Sequence, residues 1–256
     1  MAGGTDLILN LRKDEISAEY LIDLRNINSL KKITQDQNYI SIGSMVTFSM
    51  MKDSKIIKDR LHSLFECSST MGSPQIRNMA TIGGNIVNAG PAADGIPCIM
   101  ALDGILVFES TNKIRKISCR EYFALYDINK AEDDELLTKI LIPKNEMFNG
   151  FYKLGKRNSL SIARLSTAIS LSVKEEKITS LSISLGAVSK YPLRISRLEN
   201  EAVGKGIEWL FSDEPLTILE DEVYRSINGR KTMPFKKEAI KGVYKNALNN
   251  ALYRRE

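Results

Sequence analysis

A glycine doublet with small and polar neighbours occurs twice in this chain, in Ala2-Gly-Gly-Thr-Asp6 and in Ala80-Thr-Ile-Gly-Gly-Asn85. Without a Cβ, such a loop lets the backbone approach a bulky anion, and consecutive N–H groups can converge on phosphate oxygens. Taken singly, each doublet reads as a structural turn. Taken together, with a strand and a helix between them, they fit a diphosphate gripped from two sides. Thr81 and Asn85 add side-chain hydrogen-bonding groups to the second loop. Neither loop has the spacing of G-x-G-x-x-G or of a P-loop.

The remaining pattern supplies a scaffold. Tyr39 to Val46 alternates as a strand, with Ile40 and Ile42 on one face. Ile56, Ile57, Leu61, Leu64 and Phe65 recur at helical spacing and predict a helix over 54–68. A stretch punctuated by glycine and proline runs from Gly72 to Gly95. Beyond it, residues 104–108 and 136–142 read as buried strands, the second stopped by Pro143. The character changes near residue 150. Residues 168–173 and 181–185 alternate apolar residues with serine around the turn Lys174-Glu-Glu-Lys177, predicting a hairpin with one buried and one wet face. Ile240, Val243, Tyr244, Ala247, Leu248 and Ala251 follow helical amphipathic spacing, with Thr232 and Pro234 at its start. The chain therefore divides into residues 1–148, with a second subdomain from about 55, and an α+β unit at 149–256.

Several chemistries are excluded. Cys67, Cys98 and Cys119 are isolated, which argues against a disulfide scaffold, a zinc site or an iron–sulfur cluster. The single histidine, His62, has no motif around it and reads as structural. No nucleophile–base pair stands out, so no catalytic or metal-ligating residue is assigned. The +5 charge is dispersed, and Tyr253-Arg254-Arg255 is too short for a basic arm. Nucleic-acid binding is not expected; a basic surface suits an anionic cofactor or an acidic partner. No apolar run approaches the roughly 20 residues of a membrane span, and no signal peptide is seen, so a cytoplasmic location is expected. Any redox role would come from an organic cofactor.

At this level of detail the sequence resembles a known family. The motifs are A-G-G-T-D, I-G-S-M-V-T, Q-I-R-N-M-A-T-I-G-G-N-I, P-A-A-D followed by P-C-I-M-A-L-D, and F-Y-K-L-G-K-R, in order along nearly the whole chain. They resemble the FAD-binding subunit of molybdenum hydroxylases, of the xanthine dehydrogenase and carbon monoxide dehydrogenase medium-chain type. The resemblance implies the α+β flavin-binding fold shared with vanillyl-alcohol oxidase and p-cresol methylhydroxylase. In that fold two α/β subdomains hold FAD between them, and a C-terminal α+β domain follows.

Carried over by position, the resemblance makes Ala2, Gly3, Gly4, Thr5 and Asp6, with the following Leu7, the first pyrophosphate loop. Thr81, Gly83, Gly84 and Asn85 would form the second, with Ile82 and Val87 lining the cofactor. Asp94 would lie near the ribityl or adenosine portion, or else be an exposed turn residue. Leu137 would contact the adenine or the ring system; apart from the match it is a core leucine. Lys153 would approach the flavin or its phosphates, or be a surface lysine. Ile76 is placed with the cofactor contacts, and Gln75 to Arg77 would bridge the flavin loop to a partner. The implied role is a flavin relay. Electrons would come from [2Fe–2S] clusters of an iron–sulfur subunit beside a molybdopterin subunit, and pass to NAD+, ferredoxin or oxygen. Two alternatives stay open: a stand-alone flavin reductase on the same fold, and an assembly subunit without cofactor. Family members place a strand, helix and strand, about thirty residues, before the first loop, where this chain has only Met1, a terminus of the kind that frays. The expectation is weaker FAD binding than in an upstream-extended version, with self-association through unpaired sheet edges.

Overall fold

The computed structural model describes residues 1–155 and 163–253, so Lys156 and Arg157 of the F-Y-K-L-G-K-R match and Arg254 and Arg255 lie outside the described residues. The order begins with helix α1 (Leu7–Arg12), strand β1 (Ile33–Gln35) and strand β2 (Tyr39–Gly43). Helices α2 (Phe48–Asp53), α3 (Lys55–Arg60), α4 (His62–Thr70), α5 (Pro74–Met79), α6 (Ile82–Asn88) and α7 (Gly95–Ala101) follow. Then come β3 (Ile105–Glu109), β4 (Ile114–Ser118), α8 (Cys119–Ala124), α9 (Tyr126–Asn129) and β5 (Leu136–Pro143).

Short helices start where hydroxyls take the free N–H groups of the first turn. Thr47 accepts from Met50, Ser54 from Ile57, Ser73 from Ile76 with Pro74 behind it, and Ser118 forms a capping box with Glu121. The expected single helix over 54–68 is two helices, because the backbone of Leu61 leaves helical geometry (φ −122°, ψ 59°) and its buried side chain turns into the core. The five strands form one antiparallel sheet in the order β1-β2-β5-β3-β4. Ile40 faces Ile142 and Ile42 faces Ile140 across β2 and β5, and these isoleucines share a core with Phe48, Leu64, Ile82, Ile96 and Phe108. β1 and β2 belong to the same sheet as β3, β4 and β5. Among the described residues, 1–27 hold α1 and no strand, and no residue of α1 is buried.

The second unit comprises β6 (Phe148–Leu154), β7 (Leu165–Lys174), β8 (Lys177–Gly186) and β9 (Leu193–Arg194), then α10 (Ser196–Ala202), α11 (Asp213–Ile227) and α12 (Met233–Leu252). Its strands form an antiparallel sheet in sequence order. The hairpin turn is tight, with Glu175 and Glu176 both at positive φ, the geometry that matches strand twist. Apolar residues of β7 and β8 pack on α10, α11 and α12. The expected wet face is corrected in large part: Ser170, Ser182 and Ser184 are buried where the sheet meets the first unit, while Ser172 stays partly exposed. Ser182 Oγ donates to Asp103, and Ser184 Oγ meets Met100 Sδ at the end of α7. Small hydroxyls permit this close approach of sheet to helix. Among the described residues no helix is long and apolar enough to cross a membrane.

Candidate functional site

The second glycine loop is built from the core outward. The Ile82 N–H donates to Val46 O (3.0 Å) and the Gly83 N–H to Ser44 O (2.9 Å), so the loop rides on the chain leaving β2. Thr81 Oγ1 caps α6 by accepting from Gly84 N (3.1 Å). A Cβ at Gly83 would stand 2.6 Å from Ser44 Cβ and 2.7 Å from Ser44 O, a distance only glycine can occupy. Ile82 and Ile86 drop into the hydrophobic core.

The first loop comes to the same place from outside. Gly3 lies on the Met79 carbonyl at the end of α5, so closely that a Cβ would overlap that oxygen. Asp6 Oδ2 accepts from Asn88 Nδ2 (3.0 Å), tying the far end of this loop to α6. Among the described residues no group accepts from the backbone N–H of Gly3, Gly4 or Thr5. The same three residues line a cleft.

That cleft has a volume of about 420 Å³, within the range of small-molecule sites. Ala2 to Leu7 line it together with Thr81, Gly83, Gly84, Asn85, Val87 and Leu137. Of the residues singled out in the sequence, Ile76, Ile82, Asp94 and Lys153 are not on the lining: Ile76 is exposed on α5, Ile82 is buried, and the other two form a pair described below. Leu24, Ser44, Met45, Met71, Ala80, Asn88, Ala131, Glu135 and Leu136 line it without having been predicted. Ser44 and Met45 lie inside the I-G-S-M-V-T motif and so carried a signal; Glu135, in the acidic run 132–135, carried none.

The electrostatics of the cleft are unusual for an anion site. Among the described residues its lining holds no lysine or arginine, while Asp6 and Glu135 bring two carboxylates. Arg115 on β4 neutralises Glu135 with two bonds (2.9 and 2.5 Å), and those bonds hold its carboxyl down to about 2. The same guanidinium reaches the carbonyl of Asn129 and stacks over Phe108, fixing the wall that contains Ala131 and Glu135. Among the described residues, an anion in this cleft would meet backbone N–H groups rather than cationic side chains.

Asp94 and Lys153 meet beside the cleft. Lys153 Nζ of β6 lies 2.6 Å from Asp94 Oδ2, with side chains only 8% and 6% exposed, so the exposed-turn and surface readings are both corrected. Burial pushes the Asp94 carboxyl up, and the Lys153 ammonium opposes that shift. Asp94 Oδ1 has no partner among the described residues. Asn85 Oδ1 accepts from Gly95 N (3.1 Å), linking the second loop to this pair. Elsewhere at the junction, Asn149 accepts from Ser63 N and donates to Arg60 O, while Glu66 accepts from Phe151 N (2.7 Å). Burial raises the Glu66 carboxyl to about 7. His62, one turn earlier, lies 3.7 Å from Glu66.

Comparisons with known proteins agree over both units. Residues 1–145 match the family model "FAD binding domain in molybdopterin dehydrogenase", and residues 150–251 match "CO dehydrogenase flavoprotein C-terminal domain". The nicotinate dehydrogenase FAD-subunit of Eubacterium barkeri is 31% identical, with 98% of this chain and 87% of that protein covered. The carbon monoxide dehydrogenase medium chain of Afipia carboxidovorans is 27% identical over 98% of this chain and 88% of its own. Among solved structures, reconstituted CO dehydrogenase from Oligotropha carboxidovorans superposes with a TM-score of 0.89 at 26% identity, covering 99% of this chain and 89% of that one.

Proposed function

The chain belongs to the family of FAD-binding domains in molybdopterin dehydrogenases, and from that premise we propose that it binds FAD with the diphosphate between its two glycine loops. It is the FAD subunit of a molybdenum hydroxylase-like dehydrogenase, and thus part of an oxidoreductase. The observation that supports the placement is that Gly3, Gly4 and Thr5, whose N–H groups have no acceptor among the described residues, line one cleft with the second glycine loop, and that among the described residues no cationic side chain lines it. A diphosphate supplies the acceptors this row lacks.

The residues present fit such a group. Gly3, Gly4 and Thr5 would donate from one side, and Gly84 and Asn85 would close on it from the other. Leu24, Val87 and Leu137 would offer apolar walls. When bound, FAD supplies the two-electron chemistry that side chains do not provide. The chain's own residues bind, orient and shield the cofactor; Thr81 keeps the loop in shape by capping α6, and Arg115 keeps Glu135 ionised and held to protein. The reading extends to a relay role, with an iron–sulfur subunit and a molybdopterin subunit as partners. NAD+ or another acceptor would receive the electrons. Titration of the purified chain with FAD, riboflavin and ADP tests the placement. The expected result is a stoichiometric yellow complex, with riboflavin, which lacks the diphosphate, binding far more weakly. A folded chain that binds FAD and riboflavin alike would contradict it.

A further inference from the structure

Basic residues are scattered along the sequence, but the fold gathers five of them at one corner of the second unit. Arg164 stands at the start of β7, where its N–H donates to Leu154 O (2.8 Å). Its guanidinium lies over the Phe235 ring of α12, 5.2 Å from the centroid. Arg230 and Lys231 lead into α12, and Lys236 and Lys237 lie in its first two turns. Lys236 Nζ donates to Ala187 O at the end of β8. Burial pushes the Lys236 ammonium down, and the nearby Arg230 and Arg164 push it further. Among the described residues none of the five is paired with a carboxylate, and the neighbouring Glu238 is taken by Lys241 (2.7 Å). To these charges α12 adds the positive end of a 20-residue helix with no acidic residue in its first turn. Arg164, Arg230, Lys231 and Phe235 are exposed.

We propose that this face is a docking surface for an acidic electron-carrier protein. The inference rests on the functional reading above and names the class of the acceptor. Like charges gathered at the positive end of a helix break the local rules of stability, which folded chains do chiefly where function requires it. Their sign selects a partner rich in carboxylates. An exposed, charged face with one aromatic ring suits a transient encounter, since permanent subunit interfaces are larger and more apolar. Its position suits an electron carrier. Leu154, which accepts from Arg164, follows Lys153, and Lys153 meets Asp94 beside the cleft. The charges steer the carrier to this corner, so they act on the rate of encounter more than on the lifetime of the complex.

The test uses the full chain, immobilised for biolayer interferometry, with an acidic plant-type [2Fe–2S] ferredoxin as probe and a basic cytochrome c as control. Ferredoxin should bind and cytochrome c should not. Association should slow by about tenfold in R230E/K231E, with little change in dissociation. Added salt should slow the wild type towards the rate of the variant. Carboxylates near the start of α12 should leave the unfolding midpoint unchanged or raise it, so slower docking is not a sign of poor folding. K237E gives a second, single-site reading of the same two quantities. K174E/K177E makes the same change in net charge at the far tip of the β7–β8 hairpin and should dock at nearly the wild-type rate. Equal slowing in that variant would leave only overall charge and overturn the site. Wild-type ferredoxin binding that is absent, or unchanged in R230E/K231E, would overturn it as well. Displacement of ferredoxin by inorganic pyrophosphate at constant ionic strength would assign the face to a small phosphate ligand and overturn docking. FAD affinity, titrated separately, should be the same in all these variants. A wild-type chain that binds no FAD would sink the functional reading, and it would be seen in that titration alone.

Discussion

The two glycine loops have similar composition but opposite supports. The second grows out of the core: Ile82 and Ile86 are buried beneath it, and Ser44 and Val46 hold its N–H groups. The first is laid against the molecule from outside. It leads into α1, which buries nothing, and it is held by Gly3 on Met79, by the Asp6–Asn88 bond and by the pairing of Met1 with Ile22 and Leu24. One jaw of the cleft is thus structural and the other peripheral. Peripheral elements open at low free-energy cost, and ligand-binding elements are drawn from that end of the range. The comparison teaches that the same motif can be needed for folding in one place and for binding in another.

Substitution of the equivalent glycines should separate these roles most sharply. In G83A the new methyl meets Ser44 backbone and side chain within 2.7 Å, and neither can move without disturbing the sheet. We expect a loss of about 2–3 kcal/mol in denaturant unfolding, together with loss of FAD binding. The matching change at the peripheral jaw, G3A, meets the Met79 carbonyl even more closely, yet the loop has no core to disrupt and swings away.

The junction that backs the second loop adds a pH dependence. Glu66 is ordinarily a carboxylate of value 4.5, and burial raises it to about 7 in the fold. A raised carboxyl favours the protonated folded state, so its contribution is present at low pH and is lost as pH rises through about 7. Between pH 5 and 8 the wild type should lose about 2 kcal/mol through this group. E66Q, which keeps an acceptor for Phe151 N–H, should flatten that slope in unfolding curves measured across the range. An identical slope in E66Q would remove Glu66 from the account.

Smaller effects complete the ordering. T81A removes the cap on Gly84 N and should cost about 1 kcal/mol, the usual value of a threonine N-cap. G3A should change unfolding stability by less than about 0.5 kcal/mol, as surface changes do, while weakening FAD binding at least as much as T81A. A large stability loss in G3A would erase the contrast between the jaws.

Much of this arrangement was legible in the sequence, for local reasons. The hairpin turn at 174–177, the helical spacing from Ile240 to Ala251 and the strand at 39–43 follow from periodicity and turn chemistry. The pairing of two glycine loops was legible because both share one composition, and the fold brings them to one cleft. What local pattern could not carry was anything set by docking. Ser182 and Ser184 look like part of a wet face until the end of the first unit's α7 covers them. No local pattern records that Asp94 and Lys153 pair where the two units meet. The pairing of β2 with β5 joins segments nearly a hundred residues apart. Glu135 and Arg115, which shape one wall, join elements whose proximity no short pattern records.

The central claim is that the free donors of the peripheral jaw receive the diphosphate of FAD. Amide-resolved hydrogen exchange of the wild-type chain, with and without saturating FAD, measures it at the atoms concerned. The account predicts fast exchange at Gly3, Gly4 and Thr5 in the free protein and strong protection of the same three amides when FAD is bound. Bound FAD with those three amides still exchanging freely would contradict it.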